Sequence, residues 1–79
     1  MQKAIYSQDQ NRLQKLLKIA RLDAGLTQAQ LARRLCVPQS FISKYESGER
    51  RLDLIELRDI CTVLGIPLLS FVKQFDESS

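Results

Sequence analysis

Apolar residues recur along this chain three and four positions apart, and no segment alternates with a period of two. Leu13, Leu16, Leu17, Ala20 and Ala24 form the first stripe, with Arg12, Lys15 and Lys18 on the opposite face. Ser7 and Gln10 precede it at the spacing of a capping box, so a first helix is predicted from Ser7 to Ala24. Thr27 and Gln30 repeat that spacing ahead of Leu31, Ala32 and Leu35, which predicts a second helix from Thr27 that stops before Pro38. A proline suits the first turn of a helix, where its missing N–H has no partner, so a third helix is predicted from Pro38 to Ser47. Asp53 and Glu56 then cap a fourth helix through Leu64, with Leu54, Leu57, Ile60, Cys61 and Leu64 as its stripe. Pro67 opens a fifth, rich in apolar residues for its length: Leu68, Leu69, Phe71, Val72 and Phe75. Gly25, Gly48 and Gly65 fall where positive φ would end a helix, and Ile66 is placed as the apolar partner of such an ending. Residues 1–6 and 76–79 are expected to be loosely held. The pattern is that of one all-α domain over residues 1–79, its core spanning about 7–75.

Seventy-nine residues suffice for one domain and not for two. The net charge of +3 is unevenly spread. Residues 1–51 carry ten Lys/Arg against four Asp/Glu, and residues 52–79 carry two against five. A front half facing a polyanion would have this balance, and so would a merely solvated surface. No basic segment leads into an apolar one at the N-terminus, and the longest apolar stretch, Gly65 to Val72, is far below the roughly 20 residues of a membrane span. With no histidine and no C-x-x-C, a zinc site is not expected. Cys36 and Cys61 read as two free, small, buried hydrophobes in a reducing cytoplasm.

Two short helices separated by Cys36-Val37-Pro38 have the dimensions of a helix-turn-helix, whose second helix enters the major groove of DNA. Their mutual packing requires apolar residues at Leu31, Leu35, Ile42 and Tyr45 and a small one at Ala32, and the chain supplies them. Residues 11–70, most clearly "LTQAQLARRL", "QSFISKYESGERR" and "LGI", resemble the Cro/CI-type (XRE-like) helix-turn-helix family of DNA-binding transcriptional regulators. That resemblance implies a compact five-helix, lambda-repressor-like bundle, with the second and third helices as the helix-turn-helix.

The resemblance also implies roles. Gln39, Ser40 and Lys44 match the base-reading face of the recognition helix, and Ser43 lies on the same side. Gln28 matches a phosphate grip at the start of the second helix, while Arg21 and Glu46 match a structural ion pair between the first and third. Arg50 and Arg51 stand in the loop after the recognition helix, where phosphates would pass, and Arg33 and Arg34 are weaker candidates. The chemistry agrees: Gln39 can pair with adenine N6 and N7, and Lys44 can donate to guanine O6 or N7. Phe41 either packs beside the fourth helix or meets a thymine methyl. Two positions depart from the family's common pattern. Cys36 stands where glycine is frequent, and Pro38 replaces a Ser or Thr cap that often contacts a phosphate.

The resulting expectation is a small cytoplasmic regulator, favoured as a repressor, that binds a palindromic double-stranded operator as a homodimer through its fifth helix. No cofactor or catalytic group is expected: the cysteines lack a base, and Asp53, Glu56 and Asp59 fall on capping or solvated positions. The alternative is a protein-interaction module, such as an antitoxin or regulatory subunit, on the same scaffold. The polar face of the third helix favours DNA, and the acidic, apolar-rich fifth helix favours a protein surface.

Overall fold

A computed structural model describes residues 8–77, and within them every regular element is a helix. The order is α1 (Gln8–Asp23), α2 (Gln28–Leu35), α3 (Gln39–Ser47), α4 (Leu54–Leu64) and α5 (Leu68–Glu77). The predicted Ser7 cap lies outside the described residues. Both other capping boxes form in full. At α2, the Gln30 amide donates to Thr27 Oγ1 at 3.1 Å and the Thr27 amide to Gln30 Oε1 at 2.9 Å. At α4, the Glu56 amide donates to Asp53 Oδ1 at 2.7 Å and the Asp53 amide to Glu56 Oε1 at 2.9 Å.

The helix endings share one geometry, wider than the single case expected at Gly65. A backbone amide reaches back five residues from Leu26 to Arg21, from Val37 to Ala32, from Glu49 to Lys44 and from Ile66 to Cys61. Leu26, Val37 and Ile66 then turn their side chains onto the core, as the Schellman ending favours. The residue before each must take positive φ. Cys36 does so at φ 60° where the other three turns use glycine, so the turn keeps the usual bend and carries a side chain. That side chain points outward: Cys36 is exposed, which corrects the expectation of two buried thiols, and only Cys61 is buried. Pro38 sits one position earlier than predicted, as the N-cap of α3, and contributes no side-chain hydrogen bond there.

Leu17, Leu31, Ala32, Ile42, Tyr45, Ile60, Cys61 and Phe71, drawn from all five helices, meet in one core with Leu26. Ala32 lets α2 and α3 approach closely. Fully burying a leucine, isoleucine or aromatic ring stabilises a fold by roughly 1.5–3 kcal/mol each, and this set holds the bundle together. α3 packs on α1 and α2, whereas α5 packs on α4 and α1. The predicted stripes were too wide in places. Ala24 lies past the end of α1 and is exposed. Leu54 is also exposed, at 66%; on α5, read from the sequence only as rich in apolar residues, Leu69 and Val72 are exposed at 80% and 40%. The last helix continues to Glu77, so Asp76 and Glu77 belong to it and not to a loose tail.

Candidate nucleic-acid interface

The amphipathic pattern of α3 separates its side chains into two sets. Ile42 and Tyr45 face inward and are essentially without solvent contact. Gln39, Ser40 and Lys44 are exposed, and Ser43 between them is half-buried. Ser43 Oγ donates to the Ser40 carbonyl at 3.2 Å, which leaves its oxygen able to accept. The exposed set thus offers an amide, a hydroxyl and an ammonium on one short helix, with the half-buried Ser43 hydroxyl between them and no carboxylate until Glu46.

Glu46 turns back into the bundle. Arg21 Nε donates to Glu46 Oε2 at 2.8 Å and Nη2 to Oε1 at 3.1 Å, a bidentate pair whose side chains are 7% and 5% exposed. A third Arg21 nitrogen, Nη1, donates to the Leu26 carbonyl at 2.8 Å. The Glu46 hydrogen bond raises the Arg21 pKa further, against the opposing effect of burial. The pair locks α1 to α3, as the resemblance implied. Gln28 joins it: its Nε2 donates to Glu46 Oε1 at 3.1 Å, so the side chain expected on a phosphate is anchored to the ion pair. The second hydrogen of that Nε2 and the free amides of the first turn of α2 lie at a helix N-terminus, where anions are favoured. An open groove lined by Leu26, Thr27, Gln28, Ala29 and Gln39 joins this point to the start of α3.

The loop after α3 is wound tightly. Gly48, at φ 90°, donates its amide to the Lys44 carbonyl, which also accepts from the Glu49 and Arg50 amides at 2.8 and 3.2 Å. That backbone angle favours glycine, and a Cβ here would also come 2.6 Å from Gln14 Nε2 and push the side-chain amide aside. Arg51 is exposed. Arg50 is engaged: Nη1 and Nη2 donate to Glu56 Oε1 and Oε2 at 3.0 and 2.7 Å, and Nη1 donates to the Arg51 carbonyl at 2.9 Å. Its guanidinium also stacks 4.4 Å from the centre of the Phe41 ring. Phe41 in turn meets Tyr45 edge-on, with ring centres 5.8 Å apart. Held first by Arg50 and then by the Asp53 amide, the Glu56 carboxyl titrates well below its ordinary range, at about 2. Arg33 and Arg34 are exposed in the last turn of α2.

This arrangement of helices is shared with known proteins. The helix-turn-helix family model matches residues 17–71, which is most of the chain. An XRE-family-like protein from Pseudomonas syringae pv. tomato is 41% identical, with 95% of this chain and 92% of that one aligned at a TM-score of 0.87. The chain belongs to the XRE-type helix-turn-helix family of DNA-binding regulators. The same fold recurs at 24% identity in two further structures. One is the clp gene regulator ClgR from Corynebacterium glutamicum (TM-score 0.77, 89% and 74% of the two chains). The other is a single-residue mutant of the restriction-modification controller protein C.Esp1396I (TM-score 0.80, 99% and 94%). No curated protein matches the chain significantly.

For this XRE-type protein the structure brings Gln39, Ser40, Ser43 and Lys44 together on α3, with Gln28 beside them across the groove. It keeps Arg50 apart from them, held between Phe41 and Glu56. The Phe41–Arg50–Glu56 arrangement was not foreseen. Glu56 signalled only its capping role in the sequence, and an arginine six residues upstream carries no periodic mark. Among the described residues no group of His, Cys, Asp and Glu could hold a metal ion, and no helix is long and apolar enough to cross a membrane.

Proposed function

We propose that this protein binds a specific double-stranded DNA site with α3 in the major groove and represses transcription from it. The observation that carries the reading is the division of α3: Ile42 and Tyr45 are sealed in the core, while Gln39, Ser40 and Lys44 stand free and uniformly hydrogen-bonding. Gln39 and Lys44 read base edges, with Ser40 and Ser43 adding hydroxyls beside them. Gln28 and the N-terminal amides of α2 grip one phosphate, and the exposed Arg51 meets another. Two copies related by a two-fold axis would set their recognition helices about 34 Å apart, on successive major grooves of a palindromic site. The exposed Leu69 and Val72 on α5 supply the apolar face for that pairing. A partner protein on α5 would occupy the same face.

Binding to a site selected from random duplexes, set against binding to unrelated duplex, tests the assignment of roles. Gln39→Ala and Lys44→Ala should each weaken specific binding by about 1–3 kcal/mol and leave non-specific binding nearly unchanged. Arg51→Ala should weaken both alike and flatten the log–log salt dependence by about 0.9 for each phosphate no longer neutralised. Equal weakening on both duplexes for Gln39→Ala and Lys44→Ala would remove these residues from base reading.

A further inference from the structure

The recognition helix has a weakly tied start. Pro38 provides no side-chain cap, and α3 rests on α1 and α2 with little direct contact to α4. The side chain that bridges this gap comes from the following loop. Arg50 lies between Phe41, the third residue of α3, and Glu56, the third residue of α4, touching both and also the Arg51 carbonyl. A planar guanidinium can stack on a ring with its face while its edge donates to a carboxylate; an ammonium cannot do both.

Resting on the DNA-binding reading above, we infer that Arg50 is a positioning residue and not a phosphate contact: with Phe41 and Glu56 it clamps the first turn of α3 and the loop carrying Arg51 in their DNA-ready orientation. Three features support this. The two terminal nitrogens, Nη1 and Nη2, are already forked onto Glu56, and Nη1 also donates to the Arg51 carbonyl. A phosphate approaching Arg50 would meet the Glu56 carboxylate beside it. The guanidinium covers one face of the Phe41 ring, and Tyr45 meets that ring edge-on, so Phe41 is engaged within the protein. Glu56 thereby serves twice, since the oxygen that takes Arg50 Nη1 also caps α4 through the Asp53 amide.

Charge-preserving and charge-removing substitutions separate the two roles. Arg50→Lys keeps the positive charge and loses the clamp. Glu56→Gln removes a negative charge near DNA yet keeps a side chain able to complete the capping box. DNA affinity is measured across a salt series, at a temperature where circular dichroism shows each variant folded. Arg50→Lys and Glu56→Gln should each weaken binding roughly fivefold, the scale of one half-exposed ion pair and ring contact, with the salt slope unchanged. Wild-type affinity in Arg50→Lys, or tighter binding by Glu56→Gln, would overturn the inference. Amide exchange in the free protein supplies a readout without DNA. Residues 49–52 should exchange faster in both variants, and unchanged exchange would equally refute the clamp. If the wild-type protein bound no DNA, the parent reading would fall, and the exchange result would still judge the clamp.

Discussion

Tyr45 buries a whole ring in the core and leaves its hydroxyl there with no hydrogen-bond partner among the described residues. Burial, and then the nearby Glu46 charge, push its pKa up, so the group stays neutral and gains nothing by ionising. An unpaired buried hydroxyl costs about 1–3 kcal/mol. Tyr45→Phe should therefore raise stability by about 1 kcal/mol in urea denaturation, the Phe41 edge contact being kept. A drop in stability would show that the hydroxyl has a partner after all. At this scale the sequence was informative wherever helical spacing decides a residue's face. Ile42 and Tyr45 fall inward and Gln39, Ser40 and Lys44 outward for that reason alone. It was silent where a side chain crosses a loop to its partner. Arg50 and Glu56 are six residues apart with a turn and a cap between them, and Gln28 reaches Glu46 across eighteen positions, so no periodicity marks either contact.

Helix boundaries were legible where local chemistry sets them. Thr27 with Gln30 and Asp53 with Glu56 satisfy the free amides at two starts, and glycines with positive φ close three ends. Cys36 closes the fourth without being glycine, since the hydrogen bonds of its turn hold it there. What spacing did not reveal was the width of the buried face. An apolar stripe shows which way a helix leans, while the neighbours decide how much of it they cover. α5 shows the consequence: Phe71 is buried, yet Leu69 and Val72 on the same helix are left to solvent. If that face pairs two copies, light scattering on the protein without DNA should give twice the chain mass at tens of micromolar, and Leu69→Glu should give the monomer. A wild-type monomer at that concentration would rule out a preformed dimer. Twice the mass retained in Leu69→Glu would move the interface away from α5.

Across the whole molecule, the charge divides with the sequence. The first 51 residues hold the basic excess and the remainder the acidic one. α1, α2, α3 and the loop after them lie in the basic part, which therefore includes the helix-turn-helix. The acidic part builds α4 and α5, on which Glu56 restrains the loop and Leu69 and Val72 remain uncovered. If a dimer neutralises about eight phosphates, the log–log salt slope should lie near −7. That slope reports backbone contact only, and the central claim is that α3 reads sequence. The most direct measurement is the affinity for a duplex enriched from a random pool, set against a scrambled duplex of the same composition at about 0.15 M salt. Specific binding at least about a thousandfold tighter is the predicted result. Equal affinity for the two duplexes would contradict it.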